Sequence, residues 1–419
     1  HAARYADKVA GKFIAEELFE ASPVKEAEDG RALIVVLGGT CRVGSYLCPR
    51  LASLSNIDVV SVSRGTHAPY PTTTSSTSSP DPRWQHIKHV HVDRSTDTLR
   101  FNRTVASLGA HCIIDLCCFD LELCESLVAE LQNGSEPIRV AHYVCGSTIW
   151  AYGANDGHGP TEEDGTHGSA PLGLHGEQKK AIAHFLTGSH RKHNPLPFAA
   201  TVLHFGHLCG RGWVPLNPQG NFNPAVFGAL RNGKPASVAL PAPAGKFYLH
   251  HGHAADAAAA IIRTLAAPAL SGGQCFNCVC TSAMTMRDFA EQIAAATWGD
   301  GNNDSQQRLL EQSRRAIHYL PCPSTAFTRA VGNDGAAAIT LEHMRHSSNC
   351  SMRKIRDTLG FVPEWDLLAA VADGVRWLEE AGKLSAGFDD VPTLTSTQRE
   401  QERQKRQERL GSAPATSRL

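Results

Sequence analysis

The stretch Leu33-Ile34-Val35-Val36-Leu37-Gly38-Gly39-Thr40-Cys41-Arg42-Val43-Gly44 sets the reading of the whole chain. Five apolar residues, three of them β-branched, run straight into a glycine turn. Such a run predicts a strand buried on both faces. Helical spacing follows from Val43 to Ser53. Strand, glycine turn and helix in that order aim backbone N–H groups and a helix N-terminus at one point, a geometry suited to a pyrophosphate. Gly38, Gly39, Thr40, Cys41, Val43 and Gly44 are therefore the first candidate binding residues. Pro49 lies inside the predicted helix and should bend it.

Working outward, Ile57–Ser63 reads as a second strand that ends about twenty residues after the turn, where an acid would bind ribose hydroxyls. Arg64 stands there instead. An arginine can face a 2′-phosphate, so the expected cofactor is NADP, with NAD the alternative if Arg64 only stacks on the adenine or points to solvent. Further strands are expected around Ile87–Val92, His111–Leu116, Val140–Cys145 and Phe198–His204, with helices between most of them. This alternation predicts an α/β fold: a Rossmann-type, doubly wound parallel sheet over residues 31–205. A later strand near 246–252 should join it. Residues 206–383 read mainly as a smaller C-terminal α/β lid for substrate, with helices at Asp256–Ala267, Met286–Thr297 and Leu367–Glu380. Residues 1–30 read as an amphipathic helical extension, and 384–419 as a disordered tail.

Composition narrows the functional classes. The chain has 419 residues, 42% hydrophobic and 19% charged, with a formal net charge of −1. That balance gives no electrostatic reason to expect nucleic acid or an anionic membrane surface. No apolar run approaches the ~20 residues of a membrane span. Thirteen cysteines without framework spacing predict reduced thiols, and so a cytoplasmic or an organellar (plastid or mitochondrial) interior. Cys275, Cys278 and Cys280 lie in a strand-like run and read as core cysteines. His250, His251 and His253 read as a structural junction, so no metal is expected.

The motifs, in their order along the chain, resemble the NAD-dependent epimerase/dehydratase family, the extended and atypical short-chain dehydrogenases. The opening turn is similar to the family's GGTGxxG, with Cys41 in place of the middle glycine, where a Cβ would crowd the pyrophosphate. Asp93 matches the acid near the adenine. Ile114-Asp115-Leu116-Cys117-Cys118 matches the segment under the cofactor, which implies Leu116 and Cys117 as contacts. Tyr143-Val-Cys-Gly-Ser-Thr148-Ile-Trp150-Ala-Tyr152-Gly resembles the fifth strand and its serine/threonine motif. His204-Phe-Gly-His-Leu-Cys-Gly-Arg-Gly212, His250-His-Gly-His253-Ala-Ala-Asp256 and Leu359-Gly-Phe-Val-Pro363 resemble later signatures. The resemblance spans roughly residues 31–383.

Family members carry Tyr-x-x-x-Lys on a helix, and this chain has His175-Gly-Glu-Gln-Lys179. The i, i+4 spacing puts both side chains on one face. The resemblance implies that Lys179 binds the nicotinamide ribose, that Thr148 holds the reacting oxygen and that His175 occupies the tyrosine position. An imidazole, with an unperturbed pKa near ~6.5, can still move a proton. Two readings stay open: a reductase, dehydrogenase or epimerase on a small hydroxyl or carbonyl substrate, and a cofactor-binding sensor or assembly subunit without activity. RNA binding, found among relatives, is a third reading that the near-neutral charge disfavours. Trp150, His204, Asn217 and Asn221 are candidate substrate contacts. Arg211, Arg231 and Lys234 are the basic residues of the second half. Pairing of two copies through Rossmann-half helices, a homodimer, is a fold-level expectation.

Overall fold

A computed structural model describes residues 2–22, 30–72, 79–133, 139–153, 171, 173–188, 191, 193–232, 238–298, 307–311, 314, 317–321, 325–345 and 347–385. Residues 73–78, Lys234 and residues 386–419, which hold most of the expected tail, lie outside them. The elements run α1 (Ala2–Ala21), β1 (Ala32–Leu37), α2 (Arg42–Ala52), β2 (Ile57–Ser63), β3 (Lys88–His91), α3 (Thr98–Ser107), β4 (Cys112–Asp115), α4 (Leu121–Asn133) and β5 (His142–Thr148). They continue with α5 (Gly173–Thr187), β6 (Ala199–Phe205), β7 (His207–Cys209), α6 (Ala225–Arg231), β8 (Ala239–Ala242), β9 (Tyr248–Leu249), β10 (His251–His253), α7 (Ala254–Leu265) and α8 (Pro268–Ser271). The last are β11 (Gln274–Cys278), β12 (Met284–Thr285), α9 (Met286–Trp298), β13 (His318–Pro321), α10 (Thr325–Val331), α11 (Asp334–Arg345), α12 (Arg353–Leu359) and α13 (Leu367–Glu380).

Seven strands form one parallel sheet in the order β11-β6-β5-β4-β1-β2-β3. The Leu33–Leu37 run is its central strand, and alternation along it feeds two cores. Ala32, Ile34 and Val36 pack with Leu47 and Leu51 of α2, Ile261 of α7, and Ile14 and Leu18 of α1. Val35 and Leu37 pack with Phe101 of α3, Leu127 of α4 and Ile182 of α5. Both faces are covered, as the unbroken apolar run required. Strand order reverses between β1 and β4, which opens a crevice at their carboxyl ends.

A third core holds the smaller unit together. Val214, Leu216, Phe227 of α6, Leu240 of β8, Phe289 of α9 and Val371 of α13 are buried in it. The Asp256 carboxylate accepts the backbone N–H of Glu364 at 3.0 Å and of Trp365 at 3.1 Å, so α7 of the Rossmann half anchors the loop that leads into α13.

Two expectations are corrected. The seventh sheet strand is β11, not the 246–252 stretch. That stretch supplies β9, antiparallel to β12, and β10, parallel to β7. The run that includes Phe276 and Cys278 is more apolar and pairs with β6 from Thr201 to Phe205, so it wins the sheet edge. Pro49 does not interrupt α2, which runs from Arg42 to Ala52. The proline sits in the last turn, where its missing N–H costs a single helical bond. Among the described residues, no helix is long and apolar enough to cross a membrane, and the described cysteines are free thiols.

Candidate functional site

Gly38 leaves β1 with φ 80°, a left-handed conformation that favours glycine. A Cβ on Gly39 would fall 2.3 Å from Ser61 Oγ, and one on Gly44 would fall 2.2 Å from the Gly39 carbonyl oxygen. These glycines let strand, turn and helix close on one another. Cys41 answers the crowding question. Its φ of −70° and ψ of 177° suit any residue, and it caps α2 while its Sγ accepts the Gly44 N–H at 3.4 Å. Burial pushes the thiol's pKa up, so it stays neutral. The other first-turn N–H groups of α2 have no helical carbonyl to bond.

The neighbouring candidates lie just beyond the carboxyl ends of β2, β3 and β4. Cys117 Cβ lies 3.2 Å from the point a Gly38 Cβ would occupy, which puts Cys117 and Leu116 beside the turn as the motif implied. Arg64 is exposed just beyond β2. Asp93 Oδ1 accepts both the N–H of Ser95, at 2.8 Å, and its hydroxyl, at 2.7 Å, so part of the carboxylate shapes its own turn.

The catalytic candidates meet at the ends of β4 and β5. Lys179 is 3% exposed, and its Nζ donates to the Cys118 carbonyl at 2.6 Å and the Gly146 carbonyl at 2.8 Å. The ammonium thus ties the two strand ends together and keeps one N–H of three in hand. Thr148 Oγ1 accepts the Trp150 N–H at 3.3 Å and caps the short helix that follows. The His175 ring lies 6.2 Å from Trp150 and 6.2 Å from Phe119. Gly176 brings α5 this close, since a Cβ there would sit 2.7 Å from the Trp150 carbonyl oxygen.

Beneath this surface Asp115, fully buried, accepts hydrogen bonds from Arg94 at 2.7 Å, the Tyr143 hydroxyl at 2.6 Å and the Cys117 N–H at 3.1 Å. Hydrogen bonds from the thiols of Cys124 and Cys145 hold Cys118 well below the usual thiol range.

Other predicted contacts have different tasks. His204 is buried, and its Nδ1–H donates to the Thr148 carbonyl at 3.1 Å, so it supports the strand end from behind. Asn217 and Asn221 are fully buried rather than facing the cleft. Asn217 Nδ2 donates to Asn221 Oδ1 at 2.7 Å, and Asn221 Nδ2 to Thr340 Oγ1 at 3.1 Å. Asn217 Oδ1 accepts the Gln219 N–H at 2.9 Å and Asn221 Oδ1 the Asn223 N–H at 3.0 Å, so the buried loop also saturates its own backbone. Of the three junction histidines, His250 Nε2 donates to the Cys280 carbonyl, His251 Nε2 to the Leu216 carbonyl, and His253 pairs with Asp373.

Sequence reasoning missed three contributors. Phe119, 42% exposed, lies with its ring 4.9 Å from Lys179 Nζ. His207 and His343 approach Trp150 at 6.2 and 5.1 Å. Phe119 directly follows the quoted Ile114–Cys118 segment, which could have flagged it, and His207 sits in a quoted motif. His343 comes from an ordinary-looking helix and carried no signal.

No family model and no curated protein matches this chain. Solved structures do. A dTDP-glucose 4,6-dehydratase from Bacillus anthracis, in complex with NAD, is 15% identical over 84% of this chain and 98% of its own, with TM-score 0.58. A dTDP-glucose 4,6-dehydratase from Streptomyces venezuelae, with NAD and TYD bound, is 16% identical over 83% of this chain and 97% of its own, with TM-score 0.55. A UDP-glucose 4-epimerase from Thermotoga maritima, with UDP-glucose, is 14% identical over 83% of this chain and 99% of its own, with TM-score 0.54. The chain therefore has the fold of the NAD-dependent epimerase/dehydratase family, the fold its sequence motifs implied.

Proposed function

We propose that this protein binds a nicotinamide dinucleotide along the Gly38–Gly44 turn and acts as an oxidoreductase or epimerase on a small hydroxyl or carbonyl substrate. The observation that carries the reading is the turn itself. It sits at the carboxyl end of the central strand, beside the strand-order switch, and its Gly39 and Gly44 have no room for a Cβ. A bound nicotinamide would supply hydride transfer. The protein's own groups do the rest. The remaining N–H of Lys179 reaches for the ribose, the Thr148 hydroxyl steadies the substrate oxygen, and His175 moves the proton at that oxygen. Arg64, exposed just beyond β2, would face a 2′-phosphate, and this supports the NADP reading over NAD. The substrate enters between α5 and the lid.

Calorimetric titration with NADP(H) and NAD(H) tests the first step. NADP(H) should bind at least tenfold tighter, a difference of ~1.4 kcal/mol, and Arg64→Ala should erase it. Equal affinity in both proteins removes the NADP assignment. A turnover screen of wild type beside His175→Ala and His175→Tyr tests the chemistry. In the oxidative direction, activity should fall as the imidazole becomes protonated, and in the reductive direction the dependence should reverse. His175→Ala with full turnover and a flat pH profile eliminates the histidine. Tight dinucleotide binding with no turnover in any variant selects the sensor or assembly reading instead.

A further inference from the structure

Two groups at the carboxyl end of β5 keep hydrogen-bonding capacity in reserve. Ser147 is 6% exposed, and its Oγ has no hydrogen-bond partner among the described residues. Side chains alternate across a strand. Tyr143 and Cys145 pack with Ile182 of α5, whereas Val144 packs into the core on the other face of the sheet. By that alternation Ser147 falls on the α5 face. Lys179 stands three residues before Ile182 on the buried face of α5. Its Nζ donates at 2.8 Å to the carbonyl of Gly146, the residue before Ser147. Hydroxyl and ammonium thus lie on one face of the sheet, at one strand end.

Buried hydroxyls nearly always find a partner, so one that does not points to something the site receives. The adjacent side chains are engaged elsewhere. Cys145 Sγ donates to the Gly146 carbonyl at 3.7 Å, and Thr148 Oγ1 accepts the Trp150 N–H at 3.3 Å. Lys179 directs two of its three N–H groups at the Cys118 and Gly146 carbonyls. There remain one ammonium N–H, which only donates, and one hydroxyl, which donates and accepts. Two adjacent hydroxyls on a ligand match that pair. One accepts from Lys179, and the other exchanges a hydrogen bond with Ser147. The nicotinamide ribose of a dinucleotide carries such a vicinal pair.

We propose that Ser147 is a further cofactor-binding residue, whose hydroxyl holds the nicotinamide ribose together with Lys179. The assignment rests on the dinucleotide reading above and adds to it a residue that fixes the nicotinamide end.

Calorimetric titration of the full chain tests it, with NADP⁺ beside 2′,5′-ADP, which lacks the nicotinamide and its ribose. NAD⁺ beside ADP is the second pair, so the test does not depend on the 2′-phosphate. Ser147→Ala should bind the dinucleotide about tenfold more weakly than wild type, the worth of one hydrogen bond, and the adenosine fragment equally well. Ser147→Thr, which keeps a hydroxyl, should recover part of the loss. Thermal melts establish that the variants fold, and nearly isosteric Ser147→Cys, a weak donor, replaces Ser147→Ala should that variant fail. Wild-type dinucleotide affinity in the folded variant overturns the assignment alone. An equal loss for dinucleotide and fragment also overturns it, because the hydroxyl then serves only the local structure. A wild-type chain that binds neither dinucleotide removes the functional reading itself.

Discussion

Gly176 shows how much of the site depends on one absent side chain. With a Cβ only 2.7 Å from the Trp150 carbonyl oxygen, α5 would have to retreat and take His175 with it. Gly176→Ala should cost about 1–3 kcal/mol of stability, typical of overpacking, and should lower turnover at least tenfold if His175 works as proposed. Urea unfolding beside steady-state rates checks both numbers. An unchanged melt would mean that the helix gives way freely. Gly44→Ala meets backbone rather than a mobile side chain, at 2.2 Å from the Gly39 carbonyl oxygen. It should reduce dinucleotide affinity at least a hundredfold by calorimetry. Cys41→Gly should change binding little, because the backbone there already suits a side chain.

At the scale of elements, buried Asp115 joins β4 and β5 through Tyr143 and fastens the loop after β3 through Arg94. Removing one partner of such a pair leaves a charge without its counterion. Arg94→Ala should therefore destabilise by about 3–5 kcal/mol, whereas the double change Arg94→Met with Asp115→Leu should recover part of that loss. Tyr143→Phe removes one hydrogen bond and should cost about 1 kcal/mol. Chemical denaturation of the four proteins compares these losses directly. If Arg94→Ala costs no more than Tyr143→Phe, the ion pair contributes little.

Across the whole molecule, several histidines are folded into the interior uncharged. Burial lowers the pKa of His142 to about 4, that of His250 to about 4 and that of His251 to about 3. In the unfolded chain each titrates near ~6.5. Each is neutral in both states above that value, and on acidification the unfolded state takes up the proton first. Stability is then fully present above about pH 6.5 and is lost as pH falls toward 4. Melting temperature should drop steeply through that window. His142→Asn should flatten the slope by about one proton, read from denaturant midpoints against pH. A melting temperature constant from pH 7 to pH 4.5 would mean that these rings titrate normally.

Much of the fold was legible because its signal is local. The Leu33–Leu37 run, the glycines behind it and the alternation of strands with helices follow from backbone geometry and burial along a short stretch, and each appears where it was expected. The i, i+4 placement of His175 and Lys179 is equally local, and both lie on α5. What only the tertiary structure decided depends on competition between distant segments. Two stretches after residue 245 have strand character, and pairing with β6 selected Gln274–Cys278. Asn217 and Asn221 look like substrate contacts until burial turns their amides inward. Cys41 looks obstructive until its φ places the side chain as a helix cap. His343 joins the site from nearly two hundred residues beyond Trp150, through ring packing that no spacing in the chain encodes.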